Sequence, residues 1–283
     1  MSEWDAWIGR EETRQDRVDK SAVARWLATF DRSTPPDGSV PQAYHWCLCL
    51  PDAPTAALGI DGHPVRDDSA SSFLPPVPLP RRMWAASKVE FIAALRPDQK
   101  VRRTSRVASI IEKQGETGKL VFAEIAHETR ADGTLCVREI QSIVFREPSP
   151  TGAPPAQAPR RADRFDPTAW DAHRMLQPSE SLLFRYSALT FNSHRIHYDV
   201  PYATREEGYP GLVVHGPLTA TLLLDLAARQ FGDNVLRRFD FRGIAPAVAN
   251  EELHLALRSA NDTIELGAFT ADARQIMTAT AAV

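Results

Sequence analysis

The sequence contains no apolar run approaching the roughly 18 residues that a membrane-spanning helix needs, so no membrane span is expected. It also lacks a basic excess. The net charge is -3, which predicts no overall attraction to nucleic acid or to anionic lipid. The opening residues, MSEWDAWIGREETRQD, are polar and acidic. They lack the basic start and apolar stretch of a secretory leader, so a cytoplasmic location is expected. Cysteine is scarce: Cys47, Cys49 and Cys136 form an odd set, which argues against a disulfide framework. The first two stand as C-x-C, not as the C-x-x-C of zinc or redox sites. Within HWCLCL they read as small core residues.

What is present is a chain of 283 residues, 43% apolar, long enough for two fused units. The segment EPSPTGAPPAQAPRRADR, residues 147–164, carries five prolines and no apolar periodicity. Such a composition makes a stiff, extended connector. It divides the chain into an N-terminal part, 1–146, and a C-terminal part, 165–283. A second proline-rich stretch, FLPPVPLP at 73–80, is expected to cross the surface of the first part.

Both parts end alike. Residues 101–147 alternate apolar and polar positions in three runs, broken at EKQGETGK and RADGT. Residues 252–283 repeat the pattern, broken at SAND and TADAR. Each reads as three antiparallel strands joined by hairpins. Each part also holds a helical candidate. In DKSAVARWLATFD, residues 19–31, Ala22, Val23, Trp26, Leu27 and Phe30 share one face. In GPLTATLLLDLAARQFG, residues 216–232, leucines occupy most of the circumference, so this helix must be wrapped on all sides. Pro217 suits a first helical turn and Gly232 a stop. Antiparallel strands wrapped around a buried helix form the hot-dog arrangement. The expected class is α+β, a double hot-dog with a helix wrapped in each half.

The densest chemistry lies in TFNSHRIHYD, residues 190–199. His194 and His197 stand three apart, with Asp199 two further on. Residues 181–192 read as a strand ending at Asn192, so the histidines are expected at a strand end, where reactive groups often sit. A metal site built from His194, His197 and Asp199 or His215 is one reading. A strand end, however, does not give the i, i+4 geometry of H-E-x-x-H.

The run N-S-H-R-I-H-Y-D, followed by Y-A and then G-L-V-V-H-G, resembles the signature of MaoC-like hydratases and dehydratases. That signature is D-x-N-P-[LI]-H-x-D, with H-G opening a central helix downstream. The wording F-N-S-H-R-I-H-Y-D is closer to the type 2 hydroxyacyl-thioester dehydratase branch. With W-I-G-R and RRMWAASKVEF in the first part, nearly the whole chain resembles their double hot-dog branch, which contains the mesaconyl-C4-CoA (3-methylfumaryl-CoA) and itaconyl-CoA hydratases. The resemblance places His197 on the catalytic histidine, Asn192 on the catalytic aspartate, and Gly216 on the glycine whose N–H binds the thioester oxygen. Asp199, His194 and His215 become supporting residues, Asp199 either orienting an imidazole or capping the next helix. The implied reaction is addition of water to itaconyl-CoA or mesaconyl-C4-CoA, giving citramalyl-CoA. It needs no metal and no cofactor, coenzyme A being part of the substrate. The first part is expected only to shape the pocket, and double units of this kind to pair as a homodimer.

The residue types suit that chemistry. An imidazole exchanges protons near neutrality, and a helix start supplies an unpaired N–H at the positive end of the helix dipole. Asn192 is the departure: its amide can position water but cannot carry a proton. The free carboxylate of a dicarboxylic substrate needs a cation. Arg195, inside the motif, and Arg242, in FDFRG, are the candidates, with Arg185 and Arg82 behind them. Lys100, Arg102 and Arg103 form a small basic cluster with no assigned contact. Alternative readings are a 3-hydroxyacyl-thioester dehydratase of fatty-acid synthesis and a non-catalytic acyl-thioester binder. A thioesterase is disfavoured by Asn192.

Overall fold

The structure, a computed structural model, describes residues 3–115, 118–147, 163–260 and 263–283. Most of the proline-rich connector, residues 148–162, therefore lies outside the described residues, as do the tips of the EKQGETGK and SAND turns.

Among the described residues ten strands make one antiparallel sheet. In the first half they are β1 (Glu11–Arg17), β2 (Arg81–Phe91), β3 (Lys100–Gly115), β4 (Gly118–Ala131) and β5 (Thr134–Arg146). In the second half they are β6 (Ala172–Leu176), β7 (Arg238–Gly243), β8 (Leu253–Ala260), β9 (Thr263–Thr270) and β10 (Gln275–Ala282). The spatial order is β1-β3-β4-β5-β2-β7-β10-β9-β8-β6. Read outward from the middle, the two halves repeat one topology. The seam is β2 against β7, in register from Ala86↔Arg242 to Glu90↔Arg238. The expected three-strand meanders are β3–β5 and β8–β10, and both hairpin series are present.

Among the described residues three α-helices accompany the sheet: α1 (Lys20–Thr29), α2 (Glu180–Leu189) and α3 (Gly216–Phe231). Asp19 caps α1 by accepting the N–H of Ala22, and Val23, Trp26 and Leu27 are its buried face. Every residue of α3 from Leu218 to Ala227 is buried, so this helix is wrapped as its composition predicts. It ends at Gly232, whose φ of 105° suits glycine.

Three expectations differ from the structure. Residues 181–192 are not a strand. Ser179 accepts the N–H of Leu182, and the segment turns into α2, with Leu183 and Tyr186 inward at helical spacing. Apolar content without strict alternation was compatible with either form. Among the described residues, moreover, the wrapped helix exists only in the second half. By position in the topology α1 is the counterpart of α2, against which it packs. Where α3 would recur, residues 30–80 hold only short 3₁₀ turns, Tyr44–Cys47 and Thr55–Ala57.

That irregular segment covers the inner face of β2–β5 in place of a helix. Val40, Tyr44, Trp46 and Leu48 join the main core, which runs through both halves. The proline-rich stretch 73–80 does cross the first half, but not at its surface. Val77 and Leu79 are buried against Val107, Ile110, Val121 and Phe145 on the long strands. Cys49 and Cys136 are buried and Cys47 half-buried, all unpaired, in keeping with small core residues.

Candidate active site

The chain between α2 and α3 folds into a strap held by its own polar side chains. Phe191 adopts a φ of 48° to leave α2. The N–H of Asn192 then donates to the Ser187 carbonyl at 2.9 Å. The side-chain oxygen of Asn192 accepts the N–H of His194 at 2.9 Å, a local turn that fixes the start of the strap. A single 3₁₀ turn, Arg195–His197, follows. Asp199 next accepts the N–H of Tyr202 at 3.1 Å and opens a π-helical turn, Tyr202–Glu206. Val213 bonds back to the Ile196 carbonyl, closing the strap over its own beginning.

His197 is delivered into the interior by this fold and is only 7% exposed. Its Nδ1 lies 2.7 Å from the carbonyl oxygen of Val213. A carbonyl only accepts, so Nδ1 carries the hydrogen, and the neutral ring keeps its lone pair on Nε2. Burial pushes its pKa down to about 4, against the Val213 bond, which raises it; nearby His63 lowers it further. The ring is therefore a neutral base at pH 7.

His215 stacks on His197, with centroids 3.5 Å apart and planes at 20°. Its Nε2 is 2.9 Å from Ser187 Oγ, and burial first, then His197 and His194, hold it well below the ordinary imidazole range. His215 is also the residue before α3. One position on, Gly216 is exposed, and its N–H has no backbone acceptor among the described residues. The His197 imidazole and the unpaired N–H are thus placed together through His215. Pro217 behind Gly216 has no N–H to compete.

His194 lies with its ring 5.5 Å from that of His197, nearly perpendicular. Burial pushes it down to about 2, with His63 and His197 adding to the effect. On its other side is His63, 4.1 Å between centroids, from a loop of the first half. That loop, residues 59–63, is clamped onto the strap. The Asp61 carbonyl accepts the N–H of Arg195 at 2.8 Å, and the Gly62 carbonyl accepts Ser193 Oγ at 2.6 Å. Gly62 has a φ of 84°, and a Cβ there would lie 2.0 Å from the Ser193 carbonyl oxygen, so only glycine fits. The Asp61 carboxylate accepts from His63 Nδ1 at 3.0 Å. Burial would raise this carboxyl, but the bonds from His63 outweigh it and hold it at about 2.

The structure thus groups His197, His215, His194 and the N–H of Gly216. Other sequence candidates serve the strap itself. Asn192 shapes a turn. Asp199 caps the following turn and pairs with Arg195, touching no imidazole. Arg195 does not present a free guanidinium: Nε and Nη2 bond Asp199 at 2.9 and 2.6 Å, Nη1 bonds the Ile60 carbonyl, and the group stacks over Tyr202. Arg242 is exposed on β7, on the face opposite Phe239 and Phe241, which are buried toward the core. Arg185 is exposed on α2.

Sequence reasoning missed Asp61 and His63 altogether. Their signal was present in G-I-D-G-H-P, an aspartate and a histidine two apart around a glycine. With His194 they bring three possible metal-ligand atoms within 4.8 Å of one another, a different set from the one the motif suggested. A cleft of about 480 Å3 between β1, the 49–52 loop and the end of α2 borders Phe191, next to the strap.

Residues 43–249 match the family model described as hydroxyacyl-thioester dehydratase type 2. The mesaconyl-C(4)-CoA hydratase of Chloroflexus aurantiacus is 42% identical over 99% of this chain and 97% of its own length. Among solved structures, the MaoC-like dehydratase of Phytophthora capsici matches with a TM-score of 0.70 at 15% identity, covering 97% of this chain and 95% of that one. HtdX of Mycobacterium tuberculosis matches at 0.67 and 17% identity, covering 96% and 99%.

Proposed function

Because the chain belongs to the hydroxyacyl-thioester dehydratase type 2 family, with the double hot-dog fold and hydro-lyase activity, we propose that its reaction is the hydration of mesaconyl-C4-CoA to citramalyl-CoA. The one observation that carries the chemical reading is the neutral His197, with Nε2 free, stacked on the residue that precedes the unpaired N–H of Gly216. The 42% identical relative carries the choice of acyl group.

In this reading a water oxygen bonds to the β-carbon of the enoyl thioester as its proton passes to His197 Nε2. The C=C electrons move onto the thioester oxygen, which the N–H of Gly216 and the start of α3 stabilise. The enolate then collapses, taking the proton from His197 onto the α-carbon, on the face where water added. One imidazole performs both transfers, which dispenses with a carboxylate at position 192. The reaction uses no metal and no redox cofactor. The protein acts in the cytoplasm and pairs as a homodimer of double units; light scattering at twice the chain mass checks the pairing.

The test is loss of enoyl-thioester absorbance with crotonyl-CoA, itaconyl-CoA and mesaconyl-C4-CoA. Turnover selective for mesaconyl-C4-CoA is expected. Turnover only of long monocarboxylic chains would replace this reading with a fatty-acid dehydratase, and tight binding without turnover would replace it with a binding protein.

A further inference from the structure

Mesaconyl-C4-CoA carries its free carboxylate on the β-carbon, the atom that water attacks. That carboxylate therefore sits within a few ångströms of whatever base activates the water, and its cation must be found beside His197. Arg195 is bonded to Asp199 and Ile60, and Arg242 and Arg185 point elsewhere.

We propose that Arg82, from the first half, is the residue that receives this carboxylate and so sets the preference for dicarboxylic thioesters. The inference rests on the hydratase reading above and adds a recognition residue to it.

Four observations converge. First, Arg82 is two residues before Trp84 on β2 and on the same face. In register it faces Phe145, which lies buried on the inner side of the sheet. Second, the Trp84 carbonyl is 3.9 Å from where a Cβ on Gly216 would stand, so this end of β2 adjoins the mouth of α3. Two strand residues span about 7 Å, within reach of an arginine side chain. Third, loop 59–63 and the strap meet here, and the charges of both Asp61 and His194 are felt by or from Arg82. Fourth, Arg82 is only half-exposed, yet it donates no hydrogen bond and has no carboxylate within 4 Å among the described residues. Its neighbours on either side in sequence and space are partnered: Arg81 pairs with Glu207 at 2.9 Å, and Arg66 bonds the Val77 and Leu79 carbonyls.

A partly buried cation without a partner is costly to the folded protein. Burial, with Arg66 beside it, lowers the Arg82 pKa, and only Asp61 opposes this. An incoming carboxylate would relieve that cost, and the planar guanidinium offers two parallel N–H bonds to it. A CoA phosphate is the other anion the substrate brings, but every acyl-CoA carries it. A substrate lacking only the carboxylate therefore separates the two sources.

The experiment compares the unaltered protein with Arg82→Gln and Arg82→Lys. Steady-state turnover is measured with mesaconyl-C4-CoA and crotonyl-CoA, and binding is measured by calorimetry with citramalyl-CoA and butyryl-CoA. The expected result for Arg82→Gln is a rise of about 100-fold in KM for mesaconyl-C4-CoA and an equal weakening toward citramalyl-CoA, with butyryl-CoA affinity unchanged. Arg82→Lys, which keeps the charge but not the fork, recovers part of the loss. Equal losses toward citramalyl-CoA and butyryl-CoA would assign Arg82 to CoA or to structure and overturn the proposal, as would unchanged KM. If Arg82→Gln does not fold, Arg82→Lys with intact circular dichroism decides: full affinity for citramalyl-CoA overturns the bidentate contact. Failure of the unaltered protein to turn over mesaconyl-C4-CoA, with crotonyl-CoA hydrated, would instead overturn the choice of substrate, a result that the variants do not mimic.

Discussion

The two halves share one strand order but fill their inner faces differently. In the second half a 16-residue helix, buried along ten consecutive positions, supplies both the core and a directed N–H at its mouth. In the first half irregular chain takes that place, and the inner face carries a buried polar group instead. Glu139 on β5 accepts from Trp46 Nε1 at 3.2 Å and from Ser87 Oγ, with His45 Nε2 at 3.6 Å. A carboxylate there is tolerable because its oxygens are occupied. The lesson concerns what duplication permits. Once one copy holds the imidazole and the helix mouth proposed for the reaction, the other can lose its helix and offer loops, and loop 59–63 and the start of β2 border that proposed site.

The strongest way to break this division of labour is His197→Ala. Loss of the general base is expected to lower kcat about 10²–10⁴-fold with the fold intact by circular dichroism; retained turnover would move the chemistry elsewhere. Next is Gly216→Pro. A ring is acceptable at the first helical position, where His215 already has an extended ψ of 133°. The substitution replaces the N–H by a ring carbon just before Pro217, and kcat should drop at least about 10²–10³-fold, with circular dichroism checking that α3 keeps its start.

Asp225→Ala tests how the first half anchors α3. Asp225 is buried on α3 and receives Arg32 at 2.5 Å, Arg174 at 2.6 Å and Arg229 at 2.8 Å. Arg32 comes from the first half and also bonds Asp233. Removing the shared carboxylate should cost about 3–5 kcal/mol in denaturant unfolding.

A pH series is gentler. In the proposed reaction His197 must be neutral, and burial holds its pKa down to about 4. kcat/KM should therefore stay flat on acidification until about pH 5 and fall about tenfold per unit below about pH 4. An acid limb at about 6.5 would mean an unburied base. Stability follows the same ring. An unfolded histidine takes a proton near 6.5, but the folded one resists to about 4. Stability is thus full above about 6.5 and declines by about 1.4 kcal/mol per pH unit between the two values.

The smallest effect on turnover is expected from Glu139→Gln. It should leave kcat unchanged while costing about 1–3 kcal/mol in thermal unfolding, because a charge-assisted cluster is weakened away from the reaction. A matching loss of kcat would mean that the first half does more than line the pocket.

Much of the second half was legible in the sequence because its signals are local. The all-round leucines of 216–232 demanded wrapping, and the spacing from His197 to His215 and Gly216 belongs to a contiguous motif. The misreading of 181–192 was also local: the Ser179 cap and the Leu183–Tyr186 spacing were there, but an apolar run hid them. The first half was harder for a different reason. Its faint symmetry with the second suggested a helix that does not exist, and the approach of Asp61, Gly62 and His63 to residues 193–195 spans about 130 positions, a contact that no periodicity announces.

The order of the sheet has one more consequence. With β2 and β7 joined at the centre, β1 and β6 are the rims among the described residues. β1 reads EETRQDR, seven polar residues with five charges, and β6 is five residues long. Charged or brief rims resist the lateral addition of further strands. Fusion of two units thus gives a ribbon that offers an incoming strand little purchase at either described rim.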